Sequence, residues 1–231
     1  MSSPDRFGRR AAPRASIGVL FGTALLVAGV PTLAAQDAAT ALERAERAYR
    51  NLTTFTAEFE QTLVNPMLGA PETTSGVLFL EPPGRFAMRW TDPDGERVVA
   101  DGEWLWAFAP SSVPDQVIRQ AIPQSGPSSP QLMAQFVDRP EERYVATYVG
   151  EELVKGELTD VLHLSPRRDG LPFSEAEIAV GRRDGLLRRI AVTEVSGQKR
   201  TLVLSGIGVN VRIPESELSF EVPSGVRIVT P

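Results

Sequence analysis

A mostly β protein of the α+β class is the fold this sequence predicts: one antiparallel sheet with two short helices laid over part of it. Three observations lead there. Period-two alternation recurs from residue 55 to near the C-terminus, and Asp-Gly dipeptides punctuate it at Asp94-Gly95, Asp101-Gly102, Asp169-Gly170 and Asp184-Gly185. Only two segments carry helical spacing, and no solenoid-length repeat is present. Asp-Gly accepts the positive φ that tight hairpins need. Short strands at regular spacing favour a meander over βαβ units.

The first segment reads as a leader rather than as fold. Arg6, Arg9, Arg10 and Arg14 precede an uncharged run from Ala15 to Ala35 that ends in VPTLAAQD. A basic start, an apolar middle and small residues at the end make a secretory signal, residues 1–35, with cleavage expected after Ala34 or Ala35. Arg9-Arg10 resembles a twin-arginine signal, but AAPR follows where an apolar pair is expected. An uncleaved anchor is the alternative; about 20 uncharged residues could just span a bilayer, though Gly18, Gly22, Gly29 and Pro31 make a poor one.

Residues 36–231 are then one domain. Four of the 24 basic and one of the 29 acidic residues lie in the leader, leaving 20 and 28 and a net charge of −8. That balance, with no basic cluster, argues against nucleic acid or an anionic membrane as partner. The absence of cysteine leaves burial alone to hold a secreted fold and removes any lipobox for acylation.

Asp37 to Leu52 places Leu42, Ala45, Tyr49 and Leu52 on one stripe of an amphipathic helix. The period then becomes two, with Phe55, Ala57, Phe59, Gln61 and Leu63 on one face of a strand. Further strands are expected at Val77–Leu80, Arg85–Trp90, Arg97–Ala100, Trp104–Ala109, Asp115–Gln120, Tyr144–Val149, Val161–Ser165, Glu175–Val180, Leu187–Glu194, Arg200–Val209 and Ser219–Val222. Between them, PQSGPSSPQLMAQFVDRP offers Ser129 as N-cap, Pro130 at N1 and Leu132, Met133, Phe136 and Val137 as an apolar helix face, with Pro140 ending it.

Catalytic equipment is sparse. The single histidine, His163, lies between Leu162 and Leu164, and no GxSxG elbow accompanies it. A zinc site wants several His or Cys ligands. Asp92 and Asp94 lack the spacing and terminal Glu of a calcium loop, and GIGVNV lacks the third glycine of a dinucleotide fingerprint. No enzyme, metal or cofactor is expected. What stands out is a set of large side chains: Phe86, Met88 and Trp90 share one strand face, and Trp104, Trp106 and Phe108 share another. A long sheet covered by two short helices must curl on itself or bind something apolar.

The stretches LTTFTAEFEQT, SGVLFLEPPGRFAMRW, DPDGERVVADGEWLWAFAPSSVPDQV and LSFEVPSGVRIV resemble the LolA family of periplasmic lipoprotein carriers, from about Ala41 to Val229. The most specific elements are F-x-A-x-F-x-Q at Phe55 to Gln61, Pro-x-x-Phe at Pro83 to Phe86, V-x-DG-x-x-LW at Val99 to Trp106 and the Gln116-Val117 pair. The resemblance implies an incomplete barrel of about eleven antiparallel strands, its concave face closed by lid helices. It implies a soluble, monomeric periplasmic carrier that takes acylated lipoproteins from an inner-membrane ABC-type exporter to an outer-membrane acceptor. Phe55, Phe59, Phe86, Met88, Trp90, Trp104, Trp106 and Phe108 would bind acyl chains. Leu42, Ala45, Tyr49, Leu132, Met133 and Phe136 would form the lids, closed without ligand and open with it. Phe86 matches a family phenylalanine associated with one-way transfer. The family usually has an arginine directly before the turn proline, bonding to the lids; here that position is Pro82. Ala107 is small where relatives often carry an aromatic. A sensor of the same fold that binds a lipid or an envelope protein, and a hydrolase on a similar sheet, are the competing readings.

Overall fold

A computed structural model describes residues 33–67, 69–122, 133–168 and 170–230. Residues 1–32, which hold nearly all of the expected leader, and Ser129, Pro130 and Leu132 of the expected second helix lie outside them. Helix α1 (Leu33–Arg50) leads into six strands, β1 (Phe55–Val64), β2 (Glu72–Glu81), β3 (Arg85–Asp92), β4 (Asp94–Asp101), β5 (Leu105–Phe108) and β6 (Gln116–Gln120). Two single-turn helices, α2 (Ala134–Val137) and α3 (Pro140–Arg143), precede five more strands. These are β7 (Tyr144–Val154), β8 (Glu157–Pro166), β9 (Phe173–Gly181), β10 (Leu187–Glu194) and β11 (Lys199–Val209), with a short β12 (Arg227–Val229) last.

All twelve strands form one sheet in the order β12-β6-β5-β4-β3-β2-β1-β11-β10-β9-β8-β7. Two meanders, β1 to β6 and β7 to β11, are therefore stitched together by antiparallel pairing of β1 with β11. The sheet stays open, with β12 and β7 at its edges. The glycines of all four Asp-Gly dipeptides have positive φ, as tight turns require.

Register decides which side chains share a face. Phe55 pairs with Leu80, Leu80 with Phe86, Phe86 with Ala100 and Ala100 with Leu105. On the second meander Leu164, Ala176, Ile178 and Ile190 line up with Leu202 and Leu204 through β8 to β11. These residues belong to one buried cluster, together with Ala38, Ala41, Leu42 and Ala45 of α1 and Met133, Phe136 and Val137 at α2. The helical positions repeat at three and four, so one stripe of α1 lies on the sheet. Its other side carries the pairs Glu43–Arg47 and Glu46–Arg50.

The opposite face of β2 to β4 carries a second, smaller core of Phe79, Ala87, Val99 and Leu218, with Val77, Ile213 and Phe220 against it. It is covered by the chain after β11. Arg85 donates to Glu81 (3.1 Å), Glu215 and the carbonyl of Leu218 (3.4 Å), and Arg89 to Glu217 (3.3 Å). Residues 213–220 thus form a strap along the outer face. Ser219–Val222, expected as a strand, continues this strap and has no ladder; its apolar residues pack by side chain alone.

Three further expectations are corrected. Pro140 does not end a helix but opens α3, directly after Arg139 in left-handed conformation (φ 48). Proline suits a first helical position because its missing N–H would be unpaired there anyway. β7 runs past Val149 to Val154 through an irregularity at Gly150, since an edge strand tolerates the polar Glu151 and Glu152. The sheet is also not wholly antiparallel: β12 pairs with β6 in parallel.

Candidate functional site: an apolar hollow under a short helix

The inner face is built first by α1. Arg44 pairs with Asp160 on β8 and donates through Nε to the carbonyl of Gly181 (3.2 Å). Asp160 is largely buried and also receives the Tyr148 hydroxyl (3.2 Å) and the Arg182 Nε (3.4 Å). One turn further along α1, Tyr49 accepts the backbone N–H of Leu187 (3.2 Å), and burial pushes its hydroxyl pKa far above the ordinary tyrosine range. Gly185 between these contacts has φ +75, and a Cβ there would sit 2.5 Å from the Arg44 carbonyl oxygen. Only glycine lets the β9–β10 turn approach α1 so closely.

α2 closes the other end. Phe136 packs on Tyr144 and Phe173 at ring-centroid distances of 6.2 and 5.7 Å. The Tyr144 hydroxyl donates to the Gln135 carbonyl (2.9 Å), and burial raises its pKa as well.

Beneath α2 lies a hollow of about 170 Å³, its walls including Met88, Phe136, Phe173, Ile190 and Leu202, with Gln61, Glu194 and Arg200 at one end. A second hollow of about 210 Å³ continues the inner face toward β6 and is lined by Trp90, Val98, Ala107 and Ile118 among others. An aromatic in place of Ala107 would project into it. A third, of about 350 Å³, lies among Pro82, Pro83, Tyr49, Arg50, Met133 and Asp138, where the β2–β3 turn faces both helices. Pro82 offers no donor across that gap. Arg85 and Arg89 do not substitute for one, because both are committed to the outer strap.

The expected site residues divide into two groups. Phe55, Phe59, Phe86 and Met88 are buried in the inner core, with Trp90 against it. Trp90 stands edge-on to Phe59 (5.5 Å) and donates its indole N–H to Thr74 (3.2 Å). Gly76 makes this pair possible, since a Cβ there would meet Phe59 at 2.8 Å and the Arg89 carbonyl at 2.1 Å. Of the lid residues, Leu42, Ala45, Met133 and Phe136 are buried in the same cluster and Tyr49 borders it.

Trp104, Trp106 and Phe108 do not join them. Val99 pairs with Trp106 and Arg97 with Phe108, which puts both on the outer face. Trp106 stacks on Phe220 of the strap (5.5 Å, 20°), Phe108 meets the same ring, and Arg119 lies 4.7 Å over Trp104. Asp101 anchors this corner. Burial opposes its ionisation, but the N–H groups of Trp104 and Glu103 and the Trp106 indole together hold its carboxyl below the ordinary value.

Phe173, Ile190, Leu202 and Arg200 on the second meander line the hollow and were missed by sequence reasoning. Their signal was present, in the alternation of Ile190 with Val192 and of Arg200 with Leu202 and Leu204. His163 faces outward, 3.8 Å from Glu175. Among the described residues, no cluster of His, Cys, Asp or Glu could hold a metal, and no helix is long and apolar enough to cross a membrane.

A curled open sheet whose inner face carries an apolar hollow under short helices defines a class of fold shaped to hold an apolar ligand. The family model described as "Outer membrane lipoprotein carrier protein LolA" matches residues 50–221, and the chain belongs to the LolA family. It is similar to the outer-membrane lipoprotein carrier protein of Chromobacterium violaceum, 29% identical over 198 residues that cover 86% of this chain and 91% of that one. The carrier of the same name from Halorhodospira halophila is 29% identical over 188 residues, 81% and 84% of the two chains. The fold is shared with an uncharacterized conserved protein from Thermus thermophilus, with a TM-score of 0.54 at 14% identity over 85% of this chain and 100% of that one.

Proposed function

We propose that this protein is a soluble periplasmic carrier that binds the acyl chains of lipoproteins in the inner-face hollow. The observation that carries the reading is the apolar hollow itself, walled by Met88, Phe136, Phe173, Ile190 and Leu202 beneath a helix. Burial is worth about 0.8 kcal/mol per CH₂, so a two- or three-chain anchor costs tens of kcal/mol to leave in water. A carrier has to cover that surface and then give it up. Met88 and Met133 suit such a ligand, because an unbranched thioether adapts to irregular chains.

The hollow of about 170 Å³ is small against the roughly 300–1,000 Å³ of pockets that hold drug-sized ligands. Loading therefore moves α1 and α2 outward, and the chains take the place that Leu42, Ala45, Met133 and Phe136 occupy. The Arg44–Asp160 contact holds α1 down in the empty protein. Residues 1–35 direct secretion and are removed. The donor is an inner-membrane ABC-type exporter, the recipient an outer-membrane lipoprotein acceptor, and Phe86 favours transfer in that direction.

The test is release. Mature protein added to inner-membrane vesicles that contain the exporter, ATP and a radiolabelled lipoprotein should bring the lipoprotein into the supernatant as a one-to-one complex. Met88→Glu, which places a charge in the hollow, should abolish release while the far-ultraviolet circular dichroism stays native. Lipoprotein that remains in the vesicle pellet at every concentration of the wild-type protein would refute the carrier reading.

A further inference from the structure

The inner face changes character along its length, with polar side chains entering, staggered by about one inward position, on neighbouring strands at one end. On β1 the inward series Phe55, Ala57, Phe59 gives way to Gln61; on β11, Leu204 and Leu202 give way to Arg200. Cross-strand pairing puts Phe59 opposite Leu204, Gln61 opposite Leu202 and Leu63 opposite Arg200. The transition continues outward: Thr74 pairs with Gln61 and takes the Trp90 indole proton, while Val192 pairs with Arg200 and is followed two residues later by Glu194. Thr74, Gln61, Arg200 and Glu194 thus make a staggered polar rim on β2, β1, β11 and β10, interleaved with Leu202, Leu63 and Val192, at the end of the hollow farther from α1.

Arg200 is the centre of that rim. Its Nη1 donates to the Gln61 side-chain oxygen (3.2 Å), its Nη2 lies 3.6 Å from Glu194, and its Nε, buried, has no hydrogen-bond partner among the described residues. A guanidinium has five N–H donors in a planar fork, and those two contacts leave capacity unused. Gln61 and Glu194 add the acceptors.

An acyl anchor has the matching gradient. Its methylene chains end in ester carbonyls on glycerol, which accept hydrogen bonds and do not donate them. An anchor lying with its tails toward Phe55 and Leu204 presents those carbonyls to the fork. We propose that Arg200 binds the glyceryl ester carbonyls of the anchor and so sets how deep the chains sit, an inference that rests on the carrier reading.

Delipidated protein is titrated with a dipalmitoylglyceryl-cysteinyl peptide and with its ether-linked analogue, which keeps the chains and lacks the carbonyls. Wild type should prefer the ester by about tenfold. Arg200→Met, which keeps the apolar stem, should lose that preference and bind the ether analogue as wild type does; Arg200→Gln, with a single amide donor group, should fall between. An Arg200→Met variant that keeps the preference, or that weakens both ligands equally, overturns the proposal. Dipalmitoyl phosphatidylglycerol carries the same esters and should weaken in parallel with the ester peptide; a loss confined to it would assign Arg200 to the phosphate and overturn the ester role. Tight binding of both peptides without discrimination defeats this inference and leaves the carrier reading intact, whereas binding of neither defeats both.

Discussion

Replacing Arg44 with methionine keeps the aliphatic stem of the side chain and removes the guanidinium that ties α1 to Asp160. The Asp160 side chain is 8% exposed and that of Arg44 22%, so the pair is poorly screened. Stripping every partner from a buried charge costs about 3–5 kcal/mol. Asp160 is not stripped here, because the Tyr148 hydroxyl and Arg182 Nε remain at 3.2 and 3.4 Å. What is lost is one hydrogen-bonded ion pair and the bond to the Gly181 carbonyl, about 2 kcal/mol in all. That raises the population with α1 undocked about 30-fold.

Amide hydrogen exchange read by mass spectrometry measures this directly. Peptides covering residues 38–49 should exchange about 30-fold faster, while β8, with Leu162 and Leu164, keeps its protection. Uptake of a diacylated peptide should accelerate in step. Gly185→Ala should produce the same pattern by another route, since its Cβ meets the Arg44 carbonyl oxygen. Unchanged exchange in α1, or equal acceleration across the whole sheet, would refute the assignment of Arg44 as the contact that holds the helix down.

Pro82→Arg places a guanidinium beside the gap bordered by Glu46 and Asp138; ligand uptake and release should both slow, by severalfold in stopped-flow fluorescence, and identical kinetics would count against a role for this turn in lid closure. Asp101 has a depressed carboxyl pKa in the folded protein, so its contribution is present above the unfolded value of about 4 and fades as pH falls through the folded one. Acid titration of tryptophan fluorescence should therefore report loosening of the Trp104–Trp106 corner below about pH 4, and Asp101→Asn should flatten that step. Tyr49 acts in the opposite direction: its raised pKa keeps α1 docking intact below about pH 10 and weakens it as pH climbs further.

How far the sequence could be read depends on distance along the chain. Within a strand, parity is set by covalent geometry, so the shared face of Phe86, Met88 and Trp90 was legible, as was the buried stripe of α1. Between strands, parity depends on turn length and irregularities that alternation does not encode. Trp104, Trp106 and Phe108 form a set as uniform as Phe86, Met88 and Trp90, yet the turn through Asp101 and Gly102 pairs Val99 with Trp106 and sends the set outward. The same limit hid the partner of Val77 and Phe79. Alternation along β2 does not say what covers them, and the cover is a strap from more than 130 residues later in the chain, pinned by Arg85 to Leu218. Arg200 was legible only as one polar residue at the start of a strand. Its place in a rim exists only once β1, β2, β10 and β11 are side by side.

If the protein works as proposed, the strap separates a permanent part of its apolar burial from an exchangeable one. Phe79, Ala87, Val99 and Leu218 are sealed by the segment after β11, away from the hollow in which the carrier proposal places the ligand. The inner cluster is covered in part by α1 and α2, the helices that the carrier proposal has a ligand displace. With no disulfide in the chain, the outer core acts as a keel: β2, β3 and β4 keep their alignment while the inner contents are exchanged, so emptying the hollow need not unfold the sheet that forms its floor.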